Sequence, residues 1–209
     1  MDFGLSDSEI GIFKKLSTPE KIQDFLDRLA INYEKGGETH QSPRRVLKSR
    51  RAHCIEGALL AAAALWFHGE KPLLLDLSSA KGDDDHVIAL FQLNGYWGAI
   101  SKTNHASLRW RDPIYKDLRE LALSYFHEWF RDTDGKKMLR GYSKPLDMRR
   151  FGTDWITTGE ELWRIDRALN ALPHEDLIPK KNRRFLRNAG PFERKAGRLR
   201  EWKKTDRRT

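Results

Sequence analysis

Ten consecutive apolar residues, Ala58 to Phe67 (ALLAAAALWF), constrain this chain more than any other feature. Wound as a helix, such a run is apolar on every side, so the rest of the chain has to cover it on every side. The small side chains of Ala61 to Ala64 let neighbouring elements approach closely. The run is half of the roughly 20 residues that span a bilayer, so it predicts a core helix and no transmembrane segment. Gly69 is the natural stop, and the helix is expected from Cys54 to about Phe67.

On the N-terminal side, Ser17 and Glu20 have capping-box spacing and Pro19 suits a first turn. Ile22, Phe25, Leu26 and Leu29 then share one face, which predicts a helix from about Pro19 to Tyr33 ending near Gly36-Gly37. The polar stretch that follows contains a Ser-Pro step favouring extended backbone and is expected to cross the surface towards Cys54. Strands are predicted at Pro72–Leu77, His86–Leu93 and Trp97–Ser101, the last two joined around Asn94-Gly95-Tyr96, a hairpin signal. Helical spacing returns over Pro113–Phe130, through Leu118, Leu121, Tyr125, Phe126 and Trp129, and over Gly159–Ala171. The fold class expected is α+β, with the Cys-bearing central helix packed on an antiparallel sheet and a helical C-terminal part.

Charge divides the chain in two. Residues 180–209 hold 13 Lys/Arg against 3 Asp/Glu, whereas residues 1–179 hold 26 against 27, so the basic character belongs to the tail. A domain over 1–179 with a basic extension over 180–209 is the expected organisation. Phe185, Phe192 and Trp202 interleave the tail cations, a composition suited to polyanions through phosphate contacts and stacking, or to an acidic membrane surface. The plainer alternative is an extension folded back on the domain, broken at Gly190-Pro191. A single cysteine excludes an intrachain disulfide, and the N-terminus lacks a signal-peptide pattern, so a reducing, cytoplasmic setting is expected.

That cysteine, Cys54, stands where the polar approach becomes the apolar helix. A thiol at a helix start meets the positive end of the dipole and unpaired N–H groups, both of which favour thiolate. His86 opens a strand 32 residues later and is the candidate base. The hairpin carries Ser101 to the same end of the sheet as His86. Each residue has a plainer reading: Cys54 as a small buried hydrophobe, His86 as the end of the acidic loop Asp83-Asp84-Asp85, Glu56 as a charge at the first helical turn. His53 is placed to contact substrate, but its adjacency to Cys54 makes it a poor base. The acidic run before His86 reads as a solvated loop and not as a metal site, and no cofactor is called for.

The order helix-Cys, strand, strand-His, hairpin, strand resembles the core of the transglutaminase-like (papain-like) cysteine enzyme superfamily, over roughly Ser42 to Asp112. The small-residue helix, the Gly69-x-x-Pro72 step, His86 heading a strand and Trp97 four residues before Ser101 carry the likeness. The resemblance implies Cys54 as nucleophile and His86 as base. Two positions depart from it: Ile88 stands where the family commonly has Trp, and Ser101 where it has the Asp that orients the His. A serine accepts the imidazole hydrogen bond without supplying charge. The third residue is therefore assigned in the order Ser101, Asn104, Asp112.

The resemblance implies a hydrolase or acyl transferase acting on an amide or isopeptide bond of a peptide or protein. The competing expectations are a catalytically degenerate peptide-binding module with a polyanion-binding tail, and a basic RNA-associated protein in which Cys54 lies away from His86.

Overall fold

The computed structural model describes residues 3–203. In chain order the elements are α1 (Asp7–Lys15), α2 (Pro19–Asp27), β1 (Ala30–Ile31), α3 (Pro43–Ser49), β2 (Arg51–Ala52), α4 (Cys54–Phe67), β3 (Leu73–Ser79), β4 (His86–Leu93), β5 (Tyr96–Ile100), β6 (Arg111–Tyr115), α5 (Leu118–Leu123), β7 (Leu139–Ser143), β8 (Leu146–Asp147), α6 (Trp163–Asn170), β9 (His174–Asp176) and α7 (Pro191–Gly197). Short 3₁₀ turns cover Met148–Phe151, Asp154–Ile156 and Lys180–Phe185. Helices packed on an antiparallel sheet make this an α+β protein.

The sheet has the order β6-β5-β4-β3-β7-β9, with β8 also on β3, and each of these pairings is antiparallel. Its faces follow the two-residue period of the strands. Leu74, Val87, Ala89, Phe91 and Ile100 meet α4 and the N-terminal helices in one core, while Leu75, Leu77, Ile88, Leu90 and Ala99 meet α5, Tyr125 and Trp129 in a second. α4 is covered all round: every residue from Ile55 to Leu65 is buried.

The β4–β5 turn is tighter than the sequence suggests. Asn94 and Gly95 alone make it, at φ 52° and 84°, and Tyr96 already belongs to β5. This is the two-positive-φ geometry that matches strand twist.

Four expectations need correction. The helix predicted over Pro19–Tyr33 ends at Asp27, capped at its start by Thr18 and not Ser17, because Ala30-Ile31 pairs in parallel with Arg51-Ala52. Buried Lys102 holds the end of α2, donating from Nζ to Leu26 O at 2.9 Å and Leu29 O at 2.6 Å. The polar approach to Cys54 is not all extended, since Ser42 N-caps α3 and Pro43 takes its first position. Pro113 lies in the edge strand β6, where a missing N–H is tolerated, and the helix predicted from it shortens to Leu118–Leu123. The helix predicted over Gly159–Ala171 is Trp163–Asn170. No helix among the described residues is long and apolar enough to cross a membrane.

The tail's described part lies against the domain. Trp202, 6% exposed, packs with Ala30, Ile31 and Tyr33. Asn104 clasps its backbone, accepting from Trp202 N at 2.8 Å and donating to Trp202 O at 3.0 Å. The remaining tail positions, 204–209, fall outside the described residues.

Candidate active site

Cys54 is the first residue of α4, so first-turn N–H groups without helical partners surround its backbone. Parallel pairing of β1 with β2 fixes the approach, and Arg50, left-handed at φ 54°, turns the chain out of α3 towards it. At Gly57 a Cβ would sit 2.4 Å from Lys102 Cβ, so glycine lets α4 press against the segment carrying Ser101.

His86 and Ser101 come together at one end of the hairpin. The His86 Nε2–Ser101 Oγ distance is 2.8 Å. The serine hydroxyl donates its only proton to Leu108 O at 2.6 Å, so it accepts from His86, and Nε2 carries the ring hydrogen. That leaves Nδ1 for proton exchange with the thiol. Gln23 of α2 brackets Ser101, donating to its carbonyl and accepting from its N–H, both at 2.9 Å. Leu108 is held at φ 60°, an uncommon backbone for a branched side chain, with its N–H on Glu128 Oε1 at 3.0 Å. Trp129 stands edge-on to the imidazole, ring centroids 6.1 Å apart.

Burial pushes the Cys54 thiol up, but hydrogen bonding to His53 and His86, with their positive charge, outweighs burial and holds it well below the ordinary cysteine value. Asn104 and Asp112 are engaged elsewhere: Asn104 on Tyr33 and Trp202, Asp112 Oδ1 on Trp110 Nε1 at 2.8 Å.

Three contributors take roles beyond those expected from the sequence. His53 places Nδ1 3.9 Å from Cys54 Sγ. Glu56, expected to act by charge at the helix start, is fully buried and binds four residues: its carboxylate accepts from Asn32 Nδ2 (3.1 Å), Thr39 Oγ1 (2.8 Å), Gln41 N (3.1 Å) and His53 N (3.0 Å). The tail forms a wall: Gly197 and Arg200 line the same cleft of about 550 Å³ as His53, Cys54, His86 and Asn104. Glu56 three residues after His53 was a readable capping spacing, but nothing local signals the roles of the other two.

The acidic loop sits on the cleft rim with its carboxylates partly used. Asp83 Oδ2 accepts from Trp129 Nε1 at 2.9 Å and Asp85 Oδ1 from Ser79 N at 2.6 Å. Among the described residues no group of three or more His, Cys, Asp or Glu is arranged to hold a metal ion.

No protein-family model matches the chain, and a search of the curated proteins finds no match.

Proposed function

We propose that the protein is a cysteine-dependent hydrolase or acyl transferase of the transglutaminase-like kind, acting on an amide or isopeptide bond. One observation carries this reading: a thiol at the start of a buried helix shares a cleft with an imidazole whose far nitrogen is bound by Ser101.

The thiolate attacks the carbonyl carbon, a C–S bond forms, and the π pair moves to oxygen, where first-turn N–H groups of α4 are the available donors. As the C–N bond breaks, His86 gives its Nδ1 proton to the departing nitrogen and a thioester remains. Water or an amine then loses a proton to Nδ1 and bonds to carbon, and the electron pair of the C–S bond returns to sulfur. Water completes hydrolysis; an amine completes transfer.

The test offers the purified protein a panel of peptide, isopeptide and glutaminyl amides, with and without a primary amine, and follows products and Cys54 acylation by mass spectrometry. Turnover is expected, absent in Cys54→Ala and about 10²–10⁴-fold lower in His86→Ala. The uncharged Ser101 favours a second reading, a binding module that keeps the cleft without the chemistry. Peptide binding equal in the unaltered protein and Cys54→Ala, with no acylation, would establish that alternative.

Polyanion binding is proposed for the outer face of the tail, where Lys180, Lys181, Arg184, Arg187 and Lys195 are exposed. Reversing Lys180, Lys181 and Lys195 to Glu is expected to shift elution from heparin to clearly lower salt. Unchanged elution would remove the proposal.

A further inference from the structure

Cys54 has the His53 imidazole at 3.9 Å and shares its cleft with a second imidazole, His86, and the surroundings of the two differ in kind. We propose that they divide the work: His53 is a standing cation that keeps the sulfur as thiolate, and His86 alone carries protons through the reaction. The inference rests on the reading of Cys54 as a nucleophile and assigns a role to a residue outside the Cys-His-Ser set.

The geometry of His53 fixes one ring hydrogen and ties the other to the state of the sulfur. Its Nε2 is 2.7 Å from Thr39 O, and a carbonyl can only accept, so Nε2 bears a hydrogen. Two carboxylates face the same atom, Glu34 Oε1 at 3.4 Å and Glu56 Oε1 at 3.6 Å. The other nitrogen, Nδ1, faces sulfur. Beside a thiolate, a bare Nδ1 would set lone pair against lone pair, whereas an Nδ1–H donates, and that second hydrogen makes the ring an imidazolium. The remaining groups around it are the His40 ring, 6.0 Å away with Asp166 beyond it at 3.6 Å, and His86, which lines the same cleft. Burial opposes charge on His53, but the Cys54 sulfur and Glu56 outweigh it and raise its pKa to about 10.

His86 is built differently. Its partner is a neutral hydroxyl, and among the described residues no carboxylate is bonded to its ring. It can therefore gain and lose a proton without breaking an ion pair to a carboxylate. In the resting site two carboxylates, Glu34 and Glu56, hold the charge on His53, so that charge does not depend on the state of His86. When His86 hands its proton to the departing amine, and again when sulfur leaves the thioester as an anion, His53 keeps a positive charge beside sulfur. This arrangement also supplies what a serine in the third position lacks, a fixed charge at the site.

The deciding experiment is the rate of Cys54 alkylation by iodoacetamide between pH 4 and 10, read by intact mass in the full chain, in His53→Gln, in His86→Gln and in the double variant. An ordinary thiol titrates near about 8.5. In His53→Gln the inflection is expected to move up by about one pH unit or more, which slows alkylation at pH 6 about tenfold. His86→Gln should stay within about tenfold of the unaltered protein at pH 6 while losing amide turnover, and only the double variant should behave as an ordinary thiol. An unmoved inflection in His53→Gln, or an ordinary thiol in His86→Gln alone, overturns the division. Should His53→Gln not fold, Glu34→Gln keeps the Thr39 contact and is expected to shift the inflection in the same direction by a smaller amount; no shift there overturns it equally. Alkylation needs no substrate, so a failed amide panel with a shifted His53→Gln inflection rejects the enzyme reading alone, and turnover with an unmoved inflection rejects this inference alone.

Discussion

Replacing Glu56 by Ala is expected to lower folding stability by about 3–5 kcal/mol, a cost of the size seen when one partner of a buried charged network is removed. The side chain is fully buried, and its loss strands donors on Asn32, Thr39, Gln41 and His53 together. Each stranded donor costs about 1–3 kcal/mol if it stays buried, and the figure given allows some of them to find water. For a chain of this length the midpoint of thermal unfolding should fall by roughly 6–20 °C. Glu56→Gln keeps the shape but sets its own amide hydrogens against those donors, so it should recover only part of the loss. Urea or thermal unfolding reads both variants, and a Glu56→Ala midpoint within about 1 kcal/mol of the unaltered protein would show that the network is dispensable.

Trp202→Ala is the second large effect, and it is local. Truncating a buried tryptophan costs about 3–5 kcal/mol, here charged to the attachment of the tail and not to the sheet. The Glu201 N–H donates to Asn104 O at 3.0 Å, and Asn104 clasps residue 202 only while the indole is seated on Ala30, Ile31 and Tyr33. Hydrogen exchange at Glu201 should accelerate on the order of 10²–10³-fold, with amides of β3 and β4 unchanged. Because Gly197 and Arg200 line the cleft, a bulky maleimide should label Cys54 faster in this variant, while small iodoacetamide reacts as before. Unchanged exchange at Glu201 would mean that other contacts hold the tail, such as Arg109–Glu201 and Arg200–Asp132.

Elements whose causes are local were legible in the sequence. The run from Ala58 to Phe67 demanded a covered helix, and Asn94-Gly95 demanded a hairpin, whose register carries His86 and Ser101 to one end of the sheet. Where a distant partner decides, local spacing misled. Ala30 and Ile31 fit the helical face of α2 but pair with Arg51 and Ala52, 21 residues on. Leu121, Tyr125 and Trp129 kept helical spacing through residues that turn after Leu123, because pairing of β6 with β5 draws Arg111–Tyr115 into the sheet. The site divides in the same way. Cys54 and His86 stand out by order along the chain, whereas His53 takes its character from Thr39, Glu34 and Glu56, contacts that appear only once the chain between β1 and α4 has folded over the helix start.

The sheet separates two cores, and the candidate site straddles them. Cys54 stands on a helix buried in one, followed directly by Ile55 and Ala58, while the His86 ring rests against Trp129 of the other. The placement of thiol and imidazole in one cleft is therefore set by packing on both faces, and neither layer can loosen without changing it. On the division of roles proposed above, turnover set against low-pH alkylation of Cys54 becomes a gauge of native-state breathing. A partial opening confined to α5 and its neighbours, with α4 still in place, would end proton transfer by His86 while His53 still keeps the thiol reactive, well before circular dichroism registers a loss of structure.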